Sequence, residues 1–357
     1  MSTIITEDVK PEPHVRGSLR SHAAGESVRP LKVMRIIARL NVGGPAIHTI
    51  LLTDRMDRVL YPTLLVTGVE GPSEGSMRYL AESLNVRPHV IPEMGREISW
   101  RDDVVALWKL IRLMRHEKPD VICTHTAKAG TLGRVAALIA LAGRRKRIFH
   151  TFHGHVFHGY FTPRKTRIFL RIEQLLARVT DRLVAVTDTT CQELVEYGVA
   201  GEGRIAVIPL GFDLAPFHAC GRFRGELRAE LGLAPDALLL GIVARLVPIK
   251  RIDTFLAAVK QVRETYPNIH AAVVGDGELR SALEETARSL GVADAVHFTG
   301  FRTDLPRVYA DLDLVVLSSV NEGLPVSIIE AMACGRVVVS TEVGGVPDLI
   351  SDGETGY

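Results

Sequence analysis

From Leu31 onward the chain alternates short, nearly continuous apolar runs with longer amphipathic stretches. Val33–Leu40, Thr63–Thr67, Val121–Cys123, Ile148–Thr151 and Leu183–Val186 have the length and apolar density of strands. The segment from Ser99 to Met114 reads as a helix, because Val104, Leu107, Trp108 and Ile111 recur at helical spacing. Ser99 and Asp102 resemble a capping box, and Pro119 ends the segment. The apolar stretches Ile47–Leu52 and Val135–Leu141 and the long helix Pro163–Val179 continue the alternation. The pattern restarts after Ile205–Asp213. Strand candidates follow at Leu238–Ala244, Ala271–Val274, Val296–Phe298, Leu314–Leu317 and Val337–Ser340, with helices at Thr254–Tyr266, Leu279–Leu290 and Val326–Ala333 between them. Strands separated by helices of roughly 10–15 residues imply βαβ units, and runs without polar alternation imply strands covered on both faces. The expected architecture is α/β, with two doubly wound domains over residues 31–210 and 211–357. Residues 1–30, polar and with three prolines, read as a disordered lead-in.

Charge marks the same boundary. Residues 1–210 hold 30 Lys/Arg against 21 Asp/Glu, and residues 211–357 hold 13 against 20, so a basic half precedes an acidic half within a net +2. The basic half points to an anionic partner or surface, or the split is chance variation in solvated faces. With 46% apolar and 24% charged residues the composition is that of an ordinary soluble protein. The longest apolar run, Val135–Ala142, is far short of the ~20 residues of a membrane span. Met1–Pro30 has no apolar core like that of a secretory leader. Cys123, Cys191, Cys220 and Cys334 are too dispersed for a disulfide scaffold or a zinc site, which fits a reducing, cytoplasmic setting.

Five stretches can carry chemistry. Gly43 and Gly44 sit where the first strand turns into a helix, with Pro45 suited to the first helical position. They form either a plain tight turn or a place where backbone closes on an anion. The pair lacks the G-x-G-x-x-G dinucleotide pattern, which disfavours NAD. Arg245 and Lys250 follow the strand Leu238–Ala244, where open α/β sheets bind ligands, and two cations there suit a diphosphate. Glu322 and Glu330 have E-x7-E spacing, one in a loop beyond a strand and one inside the helix Val326–Ala333. Both can accept from sugar hydroxyls in one cleft, unless Glu330 faces solvent.

His150, His153, His155 and His158 crowd nine residues, but no cysteine or carboxylate lies close and the spacing matches no zinc pattern, so no metal is expected. A histidine beside Gly154 at a strand's end is better placed to meet substrate. In Pro163–Val179 the residues Ile168, Ile172, Leu175, Leu176 and Val179 read as one apolar face. Arg164, Arg167, Arg171 and Arg178 form a stripe beside it, suited to domain packing or to anionic lipid. No aromatic residues interleave with the arginines, which disfavours nucleic acid.

Taken in order, these residues resemble the retaining glycosyltransferases of family 4. The signature is GG after strand one, H-G after a mid-domain strand, R-x4-K opening the second domain, and Glu322-Gly with Glu330-Ala-Met-Ala-Cys-Gly. Val343-Gly-Gly-Val-Pro-Asp and Asp352-Gly-Glu-Thr-Gly are similar to the family as well. Thr124-His-Thr-Ala-Lys-Ala-Gly130 and His153-Gly-His-Val-Phe-His-Gly-Tyr160 look like bacterial members that make surface polysaccharide.

The resemblance implies a GT-B fold, two Rossmann-like domains facing across a cleft. It implies transfer from a nucleotide-sugar, with UDP favoured over GDP, to a lipid-linked or saccharide acceptor. Anomeric configuration would be retained, with no cofactor or metal, at the cytoplasmic face of a membrane. By the same resemblance Arg245 and Lys250 hold the donor diphosphate, Glu330 takes the ribose hydroxyls and Glu322 the donor sugar. Gly323 and Leu324 offer backbone N–H groups, Gly43 and Gly44 close over the diphosphate, and His153 lies near the sugar and the acceptor hydroxyl. Pro45, Ala46 and Ile47 stand where the family often has a carboxylate. Relatives continue beyond the position of Tyr357, so the second domain is expected to be incomplete at its end. The other readings are a different GT-B enzyme, such as a nucleotide-sugar 2-epimerase or a phosphorylase, and a non-catalytic nucleotide-sugar binder. The E-x7-E spacing disfavours the epimerase, and no pyridoxal-phosphate lysine motif supports the phosphorylase.

Overall fold

The computed structural model describes residues 29–71, 74–95, 99–154 and 163–357; most of the lead-in, together with His155 and His158, lies outside the described residues. The first sheet is built from β1 (Val33–Ile37), β2 (Thr63–Thr67), β3 (His89–Val90), β4 (Val121–His125), β5 (Arg147–Phe152), β6 (Arg182–Ala185) and β7 (Ile205–Val207). Its helices are α1 (Gly44–Arg55), α2 (Arg78–Ser83), α3 (Trp100–Glu117), α4 (Ala127–Ala140), α5 (Pro163–Arg178) and α6 (Asp188–Glu196). All seven strands run parallel in the order β3-β2-β1-β4-β5-β6-β7. After the short helices α7 (Ala215–His218) and α8 (Glu226–Glu230), a second parallel sheet forms. Its strands are β8 (Leu238–Val243), β9 (Ile269–Val274), β10 (Val296–Gly300), β11 (Leu314–Leu317) and β12 (Val337–Ser340), in the order β10-β9-β8-β11-β12. The connecting helices are α9 (Ile252–Thr265), α10 (Arg280–Leu290), α11 (Leu305–Asp311) and α12 (Val326–Ala333).

These are the two doubly wound α/β domains that the apolar alternation predicts. Each sheet is buried on both faces, with separate clusters such as Met34, Ile36, Leu110 and Ile148 in the first domain and Ile242, Phe255, Leu256 and Val273 in the second. Strand order reverses between β1 and β4 and again between β8 and β11. At such a switch point the flanking loops leave in opposite directions and open a crevice beyond the carboxyl ends of the strands.

Three expectations change. Val135–Leu141 is the second half of α4, whose small residues bring it close to the sheet; a Cβ on Gly133 would stand 2.7 Å from Thr124 Cγ2. In α3 Ser99 caps the helix as expected, its Oγ accepting from the Asp102 N–H, but the core face is Ala106, Leu110 and Met114. Val104 and Trp108 point to solvent at 61% and 53% exposure, with Trp100 beside them and the Arg101 and Arg112 guanidiniums stacked over the two indoles. The alanine-containing face fits against α4; of the expected stripe, Leu107 and Ile111 are half-buried against the core, while Val104 and Trp108 are left outside.

In α5 the expected division into an apolar face and an arginine stripe also fails. Leu176 and Ala177 are buried, and Glu173 is drawn inward by the buried Arg134 of α4 through two bonds of 2.7 and 2.9 Å. Ile168 and Leu175 stay exposed at 60% and 59%, interleaved with the exposed Arg164, Arg167, Arg171 and Arg178. No helix among the described residues is long and apolar enough to cross a membrane.

Candidate active site

The two switch points face one another. From the first domain come the Gly43-Gly44-Pro45 turn after β1, His125 at the end of β4, and His153-Gly154 after β5. From the second come Arg245 and Lys250 after β8 and the loop 319–325 after β11. The backbones meet closely. A Cβ on Gly323 would fall 1.9 Å from the His153 carbonyl oxygen, and one on Gly44 would fall 2.8 Å from Val326 Cγ2. Only residues without a side chain allow this approach. Gly43 also takes φ +154°, open to glycine, and serves as N-cap of α1, while α12 begins at Val326 just across the gap. The amino ends of two helices therefore point into one crevice, where their free N–H groups favour an anion.

Lys250 and Glu322, predicted separately, are brought together. Lys250 Nζ lies 2.5 Å from Glu322 Oε1, and Ser319 Oγ donates to the same oxygen at 2.6 Å. The turn Pro248–Lys250 is tied to the loop by the Val320 N–H on the Ile249 carbonyl and by Ser318 Oγ on the Lys250 and Arg251 carbonyls. Lys250 is thus a cation already held in place, and Glu322 a carboxylate whose acceptor capacity is shared between Lys250 and Ser319. Arg245 is half-buried at the end of β8, on the same side. Gly345 braces the loop by donating to the Gly323 carbonyl at 3.0 Å. Leu324 is half-buried between Gly323 and α12.

Glu330 does not face solvent. It is 7% exposed in α12 and accepts from Tyr309 Oη at 3.0 Å. Burial raises its carboxyl from 4.5 to about 7, against the opposing bond from Tyr309. Burial, and then the Glu330 charge, also raises the Tyr79 phenol, which places this first-domain side chain beside the same carboxylate. Tyr79 meets the Phe301 ring edge-on across the domains at 6.2 Å.

The first-domain wall holds residues that sequence reasoning did not single out. His48 of α1, His125 and His153 form a ring cluster with centroids 5.2 to 6.0 Å apart. Arg35, in the middle of β1 and 3% exposed, lies behind it with Nη1 3.3 Å from His125 Nε2. Burial, then His48 and Arg35, lowers His153 to about 3; burial and Arg35 lower His48 to about 4; His125 is also held well below its ordinary range, first by burial. Three neutral imidazoles beside a buried cation follow. Among the described residues no group of three or more His, Cys, Asp or Glu side chains is arranged to hold a metal ion. The signal available in the sequence was Arg35 itself, a charge inside an apolar strand.

The arginine stripe of α5 lies on the helix's exposed side. Arg144, Arg145, Lys146 and Arg147 line a separate hollow with Arg29 and Asp120 at the amino ends of the strands, the pole opposite the cleft.

Known proteins resemble this chain in sequence and in fold. Residues 42–216 match the model of Glycosyltransferase Family 4, and residues 237–357 match that of Glycosyl transferases group 1. An Escherichia coli UDP-Gal:alpha-D-GlcNAc-diphosphoundecaprenol alpha-1,3-galactosyltransferase is 31% identical over 285 residues, covering 78% of this chain and 72% of that protein. A D-inositol 3-phosphate glycosyltransferase of Actinosynnema mirum is 39% identical over 195 residues, 52% of this chain and under half (46%) of its own length. Among solved structures, Anabaena HepE in complex with UDP and glucose superposes with a TM-score of 0.76 at 24% identity, over 92% of this chain and 85% of that one. The lipopolysaccharide glycosyltransferase WaaG follows at 0.67 and 18%, over 91% and 85%. Both share the two-domain fold.

Proposed function

This chain belongs to glycosyltransferase family 4 and has the GT-B fold, and from that premise we propose that it moves a hexosyl group from a UDP-sugar to a lipid-linked acceptor with retention of configuration. The observation that carries the reading is the facing of the two switch points. Cations Arg245 and Lys250, carboxylates Glu322 and Glu330, and two helix amino ends converge there on one crevice.

The donor diphosphate lies between the Gly43-Gly44 turn and Lys250, with Arg245 and the Gly323 and Leu324 N–H groups completing its shell. As the sugar–phosphate bond breaks, charge grows on the leaving diphosphate, and fixed cations and N–H groups stabilise it without reorganising. Glu330 accepts from the ribose hydroxyls, and Glu322, released from Lys250, from those of the sugar. His153 stands at the sugar and the acceptor hydroxyl. No side-chain nucleophile is placed here. The acceptor attacks from the face the diphosphate leaves, its proton passing to a phosphate oxygen. No metal is needed in this scheme, because the two cations do its charge work.

UDP as carrier and a polyprenyl-diphosphate acceptor are supported by the named substrates of the E. coli relative, and UDP by the ligands of HepE. A lipid-linked acceptor calls for a membrane surface. The arginine-rich outer side of α5 and the tryptophans of α3 supply one, on a domain that carries the excess of positive charge.

The test is UDP release and sugar transfer from UDP-galactose and UDP-glucose by Lys250→Ala and Glu330→Ala. Loss of Lys250, a preorganised charge contact at the developing anion, should cost roughly 100-fold or more, and loss of Glu330 should weaken donor binding. Rates equal to wild type in both variants would remove the site assignment.

A further inference from the structure

Arg35 breaks the rule that buried charges are paired. It is 3% exposed, burial lowers its guanidinium's affinity for a proton, and no ion pair of Arg35 exists among the described residues. Its hydrogen-bonding partners are the Met56 Sδ at 3.2 Å and His125 Nε2 at 3.3 Å. His125 in turn has Nδ1 2.9 Å from His153 Nε2. A guanidinium only donates, so His125 Nε2 is an acceptor and its one proton sits on Nδ1. That proton points at His153 Nε2, which must then accept, and the His153 proton is left on Nδ1. The His153 Nδ1 atom is buried and has no hydrogen-bond partner among the described residues. The chain of bonds therefore ends in a donor with nothing to receive it among the described residues, in the segment whose backbone packs on Gly323.

A second observation concerns backbone. Thr126, directly after His125, has φ +65°, a strained value for a β-branched residue. The strain turns the chain sharply from β4 into α4 while leaving His125 between Arg35 and His153.

We propose that Arg35 and His125 are positioning residues that hold His153 as the neutral Nδ1–H tautomer, so that this N–H is presented to an oxygen of bound substrate. The inference rests on the reading of His153 as a cleft residue and says which atom of it acts. The groups facing His153 are His48 from α1, Arg35 from β1 and His125 from β4. His150 from β5 lies on its own strand, backed by Arg134 of α4, and Cys123 of β4 adjoins Arg35. Arg35 disfavours a proton on His153 and Arg134 one on His150, and no carboxylate among these groups favours one. The wall is set to keep a donor that carries no charge, which can bind a hydroxyl or ether oxygen without drawing the diphosphate out of its own site.

The decisive experiment is a long-range proton–nitrogen spectrum of the full chain with ¹⁵N-histidine, in which His153 is assigned by its loss in His153→Gln. The expected result is an Nδ1–H imidazole that does not titrate between about pH 5.5 and 8, where an unperturbed histidine would. An Nε2–H tautomer, or an imidazolium forming in that range, overturns the proposal. The kinetic arm uses UDP release from UDP-galactose. His125→Leu should lower kcat roughly 100-fold with little change in KM, as misplacement of a contacting group does. His125→Gln can accept from Arg35 and donate to His153, and should recover at least about tenfold of that loss. Arg35→Met should move the protonation of His153 to higher pH than in the wild type, while burial, the larger cause, still holds it below the ordinary histidine value. Equal rates for His125→Leu and His125→Gln overturn the relay. If His153→Ala is impaired while His125→Leu is not, the relay fails and the cleft assignment of His153 stands. If His153→Ala is as active as wild type, the cleft assignment itself fails.

Discussion

Glu330 sits where a carboxylate is costly, and that cost becomes useful when substrate arrives. Burial holds its carboxyl at about 7, so near neutral pH the side chain is half protonated and bonded to Tyr309. The folded chain binds this proton more tightly than the unfolded chain, so Glu330 alone makes the protein less stable as pH rises from 4.5 to about 7. Ribose hydroxyls that donate to the carboxylate favour its ionised form and offset part of that penalty. UDP binding should therefore tighten roughly tenfold between about pH 6 and 8 and release a proton, and Glu330→Gln should flatten the dependence. Titration calorimetry in buffers of different ionisation enthalpy measures both quantities. A pH-independent affinity in the wild type would remove Glu330 from the ribose. The residues of this donor half are readable in the sequence because each lies in a short motif beside a strand's end. Arg35, His48 and His125 are not readable as a group, since β1, α1 and β4 contribute one each and no sequence window contains them all.

At the scale of elements, local patterning located strands better than it oriented helices. Strands covered on both faces need only be apolar, and Leu314–Leu317 and Val337–Ser340 have the predicted limits. A helix has several stripes at helical spacing, and the largest side chains do not always mark the buried one. In α3 the buried stripe is Ala106, Leu110 and Met114, because α4 is close. In α5 the inward face joins Leu176 and Ala177 with Glu173, which pairs with the buried Arg134, and Ile168 and Leu175 turn outward among arginines. That pairing depended on α4, 39 residues away, and no local pattern announces it.

The result is a surface of guanidiniums with apolar side chains between them, suited to anionic headgroups and the acyl boundary beneath. Replacing Arg164, Arg167, Arg171 and Arg178 by Gln removes four charges, each worth about 1 kcal/mol near an anionic leaflet. Sedimentation with phosphatidylglycerol vesicles should then fall to the level seen with neutral vesicles. Undiminished sedimentation of the variant would move the docking surface elsewhere.

Across the whole molecule, the charge asymmetry falls on the two domains. The acidic second domain carries Arg245 and Lys250 as local cations at its switch point, each set against surrounding negative charge. The basic first domain presents neutral imidazoles to the cleft and arginines to the outside. Their meeting is made of backbone: Gly323 against the His153 carbonyl and Gly44 against Val326, contacts that a single methyl group on either glycine would block. The central claim is that this meeting line is a nucleotide-sugar site, and ligand-dependent unfolding tests it most directly. A ligand that binds only the folded protein at about 100 times its Kd stabilises it by about 2.7 kcal/mol. UDP and UDP-galactose should raise the wild-type unfolding temperature by roughly 5 °C, and the same ligands should leave a folded Lys250→Ala, Glu330→Ala double variant unshifted. No shift in the wild type, or an equal shift in the double variant, would contradict the account.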